Sequence, residues 1–162
     1  MVSAPARRAL VLAVGSLLPF LAAPATAQGS VTGKYVGNGR EAKLGFVRVI
    51  PHEEFSGEKA WTLVVSEKDS KSSKKPDFDA QFGELGDALV VSVTEKGDIF
   101  SVQVCHQQLD KAGFSSSGTV QVEGFTVAGG KLSGHFFTKG ENEFFGDTWS
   151  VDLKISGDLP RK

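Results

Sequence analysis

The chain has 162 residues with 18 basic and 19 acidic side chains, so its formal charge at neutral pH is −1. Nucleic acids and anionic membranes attract a concentrated positive field, which a nearly balanced chain lacks, so neither is expected as the main partner. The one cysteine, Cys105, has no intrachain disulfide partner. Stability therefore has to come from packing, and a buried thiol is the simplest interpretation of Cys105.

The first 27 residues have the pattern of a cleaved secretory signal peptide. Two arginines precede an apolar run from Ala9 to Ala23, and the small residues Ala25-Thr26-Ala27 follow just before Gln28. The run is too short to span a bilayer comfortably, and small residues stand where a signal peptidase inspects the chain. We therefore predict cleavage after Ala27. Because the signal removes two arginines and no acid, residues 28–162 carry a formal charge of −3 and form one domain, periplasmic or extracellular.

After the signal, eight runs rich in β-branched and aromatic residues are separated by glycine, asparagine, aspartate or lysine turns, which predicts strands. The runs are Val31–Val36, Lys43–Ile50, Trp61–Ser66, Ala88–Thr94, Ile99–His106, Thr119–Phe125, Lys131–Thr138 and Thr148–Ile155. In the last run Trp149 and Leu153 alternate with Asp152, as in a strand with one buried face. One short helix is predicted near residues 76–82, because proline occupies its first turn and Gly83 can end it.

Hairpin turns are predicted at Glu95–Asp98 and Ala128–Gly130, where glycine supplies the positive φ of a tight reversal. Successive hairpins favour an all-β fold, either a single antiparallel β-sandwich or a small eight-stranded barrel. The two alternatives differ in function. A barrel can enclose one small apolar ligand among the phenylalanines, whereas a sandwich fills its interior and binds partners through loops or an edge.

Four lysines, Lys68, Lys71, Lys74 and Lys75, lie in a run of serine and charged residues with no apolar period. Such a run is typical of a solvated, mobile loop. The sharper alternative is an electrostatic docking site for an acidic partner.

A second candidate loop runs from Gly140 to Asp147. Three acids lie in it, Glu141, Glu143 and Asp147, together with two aromatic residues, Phe144 and Phe145. Oxygen ligands at this density can hold calcium, but the spacing does not follow the EF-hand order. An acidic turn with one phenylalanine turned inward is the ordinary interpretation, and two exposed phenylalanines would form a contact patch.

No strong catalytic or cofactor motif is present. The histidines His52, His106 and His135 match no zinc signature, and Cys105 and His106 are neighbours on a predicted strand, with side chains on opposite faces. A nucleophile pair of Cys105 and His135 is conceivable if the two meet across the sheet. The serines Ser115–Ser117 do not form a nucleophile elbow, and no phosphate-cradling loop exists, so no cofactor is predicted.

Several segments carry a resemblance that covers roughly Gly33 to Pro160. They are Phe114-Ser115-Ser116-Ser117-Gly118, Gly130-Lys131-Leu132-Ser133-Gly134, Glu143-Phe144-Phe145-Gly146-Asp147-Thr148-Trp149 and Ile155 to Pro160. In their order they resemble a group of small secreted bacterial all-β proteins with no assigned activity. The resemblance implies the fold and the compartment, and it transfers no catalytic residue.

These observations favour a secreted, non-enzymatic β-domain that binds a protein or a cell-envelope component through loops or a sheet edge. The first alternative is a carrier of a small apolar ligand inside a β-barrel. The second is a small enzyme or metal-binding protein that uses Cys105 or the histidines. After the signal, no segment approaches the roughly 18 uninterrupted apolar residues of a membrane span, so none is expected.

Overall fold

The computed structural model describes residues 29–161, so the predicted signal peptide lies outside the described part of the chain. These residues form two antiparallel sheets and one short helix, α1, and the all-β prediction is confirmed. The elements in chain order are β1 (Ser30–Gly37), β2 (Arg40–Glu41), β3 (Phe46–Phe55), β4 (Glu58–Ser66), α1 (Pro76–Gln81), β5 (Ala88–Thr94), β6 (Ile99–Cys105), β7 (Phe114–Ser115), β8 (Val120–Ala128), β9 (Lys131–Thr138), β10 (Asn142–Phe144) and β11 (Asp147–Asp158).

The two sheets make a sandwich and not a closed barrel. Sheet A has the strand order β2-β1-β11-β9-β8, with β10 beside β11, and sheet B has the order β3-β4-β5-β6-β7. Sheet A therefore has the edge strands β2 and β8, and sheet B has the edge strands β3 and β7. Neither sheet closes on itself. Of the two architectures left open by the sequence, the sandwich is the one that forms.

The inner faces of the two sheets meet in one apolar core. The largest buried side chains in it are Trp149, Tyr35 and Phe136, each at most 1% exposed. They pack with aliphatic residues of sheet B such as Leu63 and Leu89, which are fully buried. The interior is thus filled by the protein's own side chains, as expected for a sandwich.

The outer face of sheet B carries a second, smaller core. It consists of Val64, Ala88, Val90 and Cys105 from the sheet, covered by Ala80 of α1 and by Leu85. Consequently Ala88 and Val90 on the outer face of β5 are buried, whereas β11 alternates between buried and more exposed residues. Among residues 29–161, sheet B is covered on both faces where α1 lies against it, and sheet A is covered on one.

Most predicted elements are confirmed, and the differences are local. The helix forms within the predicted segment, and both hairpin turns contain glycines with positive φ, among them Gly97 at 94°. The strands β2, β7 and β10 were not predicted, since elements of two or three residues are too short to show a period. The strand β6 ends at Cys105, one residue before the predicted end.

One end of the sandwich, which we call the loop end, carries the segments 38–45, 67–87, 106–119 and 139–146. Register places the strand ends together there, since Ser66 pairs with Ala88 and Ala88 pairs with Cys105. Both candidate loops from the sequence emerge at this end. Within residues 29–161, no helix is long and apolar enough to cross a membrane.

Candidate functional site

The helix α1 presents an unusual outer surface at the loop end. Its residues Pro76 and Ala80 are buried, and Ala80 packs against the outer face of sheet B. Phe78 on the other side and Phe82 at the C-terminal cap are 52% and 67% exposed, and their ring centroids lie 4.4 Å apart. We call these two residues the aromatic pair. Exposed rings in contact form an apolar patch on a helix that packing already holds in place.

The lysine loop, residues 67–75, precedes α1 and is tied to the sandwich. The guanidinium of Arg48 on β3 donates hydrogen bonds to the carbonyl oxygens of Ser70 and Ser73, the latter at 2.9 Å. The side chain of Ser70 is only 2% exposed, and the Ser73 hydroxyl donates to the Asp79 carboxylate of α1 at 2.5 Å. The sequence predicted a solvated, mobile loop, but its middle is anchored by an arginine from a distant strand.

Between the lysine loop and α1 lies a surface concavity of about 740 Å³, which we call the lysine concavity. It is lined by Lys68, Asp69, Ser72, Ser73, Lys74, Lys75, Phe78, Asp79, Glu84 and Leu85. The Lys68 ammonium reaches only the Glu84 carbonyl oxygen, at 3.4 Å. In the described part of the chain, Lys68, Lys74 and Lys75 take part in no ion pair. Three of the four predicted lysines therefore line one concavity, together with the acids Asp69, Asp79 and Glu84.

The acidic loop is held together by Asp147, which is only 5% exposed. Its Oδ1 accepts a hydrogen bond from the Asn38 side-chain amide at 2.8 Å, and its Oδ2 accepts one from the Lys111 backbone amide at 3.4 Å. Glu141 and Glu143 are exposed. Within residues 29–161, no group of three or more His, Cys, Asp or Glu residues is placed to hold a metal ion. The structure therefore does not support a calcium site. Asp147 instead connects its own loop to Asn38 and Lys111.

The two phenylalanines of the same loop have different environments. The Phe144 ring stacks on Phe114 with centroids 4.0 Å apart, whereas Phe145 is 79% exposed at the turn between β10 and β11. Phe145 has a φ of 51°, which costs roughly 1 kcal/mol in a non-glycine residue, and the Lys111 ammonium lies 4.3 Å from its ring centroid. Only one ring of the predicted patch is therefore free to contact a partner.

The structure separates the residues of the proposed nucleophile pair. Cys105 is 3% exposed beneath α1 on the outer face of sheet B, and burial raises the pKa of its thiol to about 12. His135 lies on β9 in sheet A, where its Nε2 is 2.6 Å from Asp152 Oδ1. The two residues belong to different sheets, so the condition for this pair, a meeting across one sheet, is not met. The thiol is protonated and inaccessible.

His106 is buried where the two sheets meet at the loop end. It is 1% exposed, its ring centroid is 5.0 Å from that of Tyr35, and a Cβ added to Gly37 would lie 2.6 Å from its Cγ. Its Nδ1 accepts a hydrogen bond from the Gln108 backbone amide at 3.2 Å. Burial lowers the pKa of His106, and the Asp87 carboxylate, 3.6 Å from Nδ1, opposes this in part. A neutral imidazole therefore packs the junction.

A small polar cleft of about 180 Å³ adjoins His106. It is lined by Arg40, Glu41, Lys43, Glu67, Asp87, His106 and Gln108. Tyr35 is fully buried beside His106 at this point. Burial is the main reason that the pKa of Tyr35 lies well above its usual value, and the negative charges of ionised Cys105 and Asp87 raise it further. A hydrogen bond with the Cys105 backbone lowers the pKa, but by less. Acids and bases are mixed in this cleft, so it presents no single charge to a ligand.

Sequence reasoning found the lysines and the exposed Phe145 but missed the aromatic pair as a surface feature. Phe78 and Phe82 are four residues apart in the sequence, and only the packing of Ala80 shows which side of α1 faces water. No protein-family model, no curated protein and no solved structure shows significant similarity to this chain. The resemblance to the small secreted bacterial β-proteins stays a prediction, and function has to be argued from the geometry of the loop end.

Proposed function

We propose that this chain is a secreted, non-enzymatic binding domain that captures a protein or a cell-envelope component through its loop end. The observation that supports this most is the aromatic pair, Phe78 on α1 and Phe82 at its C-terminal cap, which is exposed while Ala80 of the helix packs on sheet B. The pair borders the lysine concavity through Phe78. Together they form an apolar surface next to a charged one.

Physical chemistry favours such a surface as a contact site. Aromatic side chains supply much of the energy in protein interfaces, because they bury a large area and have few torsions to restrict. Here the helix backbone is already fixed by Ala80 and Leu85 in the smaller core. A partner that covers the two rings therefore gains apolar burial without the entropic cost of ordering the site.

The loop end is a better candidate than the edge strands. The edge strand β3 contains Pro51, Glu53 and Glu54, and charged residues and proline discourage the addition of a further strand. On the other sheet, β8 is irregular between Glu123 and Thr126, which interrupts the row of backbone groups that an added strand would need. These features favour binding through side chains.

The alternatives have less support. An enzyme that uses Cys105 would need an accessible thiolate, whereas burial raises the pKa of this thiol to about 12. A carrier would need space between the sheets, where Trp149 and Phe136 fill the core. At the loop end we find no group of residues that supports the enzyme or the carrier.

A capture experiment with a double substitution tests the proposal. Mature wild-type protein and the F78S/F82S variant are immobilised, and the amount of each component retained from the host's envelope extract is quantified by mass spectrometry. We expect a component enriched on the wild type to be lost on F78S/F82S, while the melting temperature stays close to that of the wild type because both rings are exposed.

The matched control is Phe55→Ser, which removes a 43% exposed ring from the opposite end of the sandwich. We expect this variant to retain the component. Equal retention on the wild type, F78S/F82S and the control, or no enrichment on the wild type, would count against the proposal.

A further inference from the structure

We infer that an exposed edge of β1 binds an extended segment of a partner protein as an added strand, at a site separate from the aromatic pair. On one side, β1 pairs with β11 along its whole length. On the other side, only Val36 and Gly37 pair, with β2, and no further strand within residues 29–161 lies there. Residues 30–34 of β1 therefore form a free edge of sheet A, which we call the β1 edge.

Two residues of the β1 edge direct their backbone groups away from sheet A. The Tyr35 carbonyl oxygen accepts a hydrogen bond from the Ala42 amide at 2.7 Å, so the backbone of Tyr35 faces the β2 side. Backbone groups alternate in direction along a strand, so the N–H and C=O groups of Val31 and Gly33 face this side as well. No strand of the described chain pairs with them there. An extended polypeptide is the ligand whose donors and acceptors repeat at the same spacing.

A cavity of about 320 Å³ adjoins the β1 edge. The chain leaves β1 after Ala42 and crosses to sheet B, where the Gly45 amide donates to the Ser66 carbonyl oxygen at 3.0 Å. The cavity lies in this fork, with residues of β1 on one side and residues 41–44 on the other. A strand added to the β1 edge therefore passes the mouth of a cavity that can accept one of its side chains.

Gly33 keeps this space open on the inner face of β1. Its φ is 113°, and a Cβ at this position would lie 2.0 Å from the Asp152 carbonyl oxygen, so glycine is required. Val31 and Tyr35, two positions away on either side, pack against the main core. No side chain of β1 fills the inner face between them. A large apolar side chain of the added strand can pack there against Leu44.

The sequence of the β1 edge also permits an added strand. The edges of β3 and β8 carry proline, acids or an irregularity, whereas residues 30–33 include neither a proline nor a charge. A second copy of this chain is the poorer occupant. Two copies paired antiparallel through their β1 edges would offer each other only Val31 and Gly33 on the inner face. Both are too small to fill the cavity, so we assign a different protein segment with a larger apolar side chain.

A peptide selection tests this site without knowledge of the partner. The probe is a phage-displayed library of random dodecapeptides, selected on the immobilised mature protein, and a recovered peptide is synthesised and its binding followed by fluorescence anisotropy. We expect micromolar binding by a peptide that alternates apolar and polar residues. N-methylation of the alternate peptide amides that face β1 should weaken binding at least about tenfold, and N-methylation of the intervening amides should leave it within about twofold.

Variants and hydrogen exchange locate the bound peptide. Val31→Pro removes an N–H that has no strand partner in the free protein, and proline is tolerated on such edges, so we expect binding to weaken at least about tenfold with the fold retained. The control F78S/F82S should bind within about twofold of the wild type. Hydrogen exchange gives a readout that does not depend on the stability of a variant. The amides of Val31 and Gly33 should exchange fast in the free wild type and slow down when the peptide binds.

Other outcomes overturn the inference. These are no recovered peptide with micromolar binding, equal effects of the two N-methylation patterns, or unchanged exchange at Val31 and Gly33. Peptide binding that is lost in F78S/F82S and kept in Val31→Pro places the peptide at the loop end, and a wild-type dimer that Val31→Pro dissociates assigns the edge to a second copy. If envelope capture needs the aromatic pair but no peptide binds the β1 edge, the proposed binding function stands alone. If peptides bind the β1 edge but capture is independent of the aromatic pair, only the β1 edge stands.

Discussion

The two sheets of this protein use the same strand chemistry but have different surroundings. In sheet A, β11 alternates buried Trp149, Val151 and Leu153 with polar residues that face water. In sheet B, Ala88 and Val90 on the outer face of β5 are also buried, because Ala80 of α1 and Leu85 cover them. A strand that is apolar on both sides therefore signals a further layer, even in an antiparallel sandwich.

The extra layer explains where the candidate site lies. Because Val64 and Val90 on the outer face of sheet B need a cover, the chain between β4 and β5 folds back to supply Ala80 and Leu85. The same chain segment then carries the lysine loop and the aromatic pair. The outer face of sheet A has no such layer among the described residues, and it carries polar groups such as the His135 and Asp152 pair.

The largest expected effect comes from placing a charge under the extra layer. Val90→Asp puts a carboxylate into the smaller core, where Val90 is only 4% exposed, and we expect it to lower the free energy of unfolding by about 3–5 kcal/mol. Thr32→Asp puts the same group on the exposed face of sheet A, beside Lys154, and should change stability by less than about 0.5 kcal/mol. Urea denaturation of both variants measures the difference. Equal effects would mean that the outer face of sheet B is not covered.

A smaller effect is expected at the arginine that ties the extra layer to β3. Arg48→Ala leaves the carbonyl oxygens of Ser70 and Ser73 without their charged donor, and we expect a loss of about 1–3 kcal/mol. Hydrogen exchange should show faster exchange of the Ser73 amide, which donates to Ser70. Lys34→Ala, on the exposed outer face of sheet A, should leave both quantities near wild type. Unchanged exchange at Ser73 in Arg48→Ala would show that the loop is held by other contacts.

The smallest expected effect concerns pH at the junction of the two sheets. Burial lowers the pKa of His106 in the folded protein below its ordinary value of 6.5, despite the opposing charges of Asp87 and Glu67. The unfolded chain therefore binds a proton more readily than the folded one. Stability from this group is complete above about pH 6.5 and falls as the pH drops towards the lowered pKa.

Thermal unfolding between about pH 7 and about pH 5 measures this dependence. In His106→Asn, an amide oxygen takes over as acceptor for the Gln108 backbone amide without gaining a charge, so the decline of stability with acid should be shallower. An identical decline in the wild type and the variant would assign it to other groups.

Local signals predicted the strands well, and they predicted the site only in part. The alternation around Trp149 and the glycines of the two hairpin turns are properties of short segments, so they are visible without tertiary structure. The contact of Arg48 with Ser70 joins residues 22 positions apart in the chain, and that of Asn38 with Asp147 joins residues 109 positions apart. No local sequence pattern predicts such pairs, and each of the two contacts holds a loop in place.

The sequence by itself determined the antiparallel β-class, the helix near residues 76–82 and the lysine run, because period, turn chemistry and composition act over a few neighbouring residues. Only the tertiary structure decided that the fold is a sandwich, that Cys105 and His135 lie in different sheets, and that Phe78 and Phe82 face water. These outcomes depend on which apolar faces cover one another, and that choice is made by the packing of the whole chain.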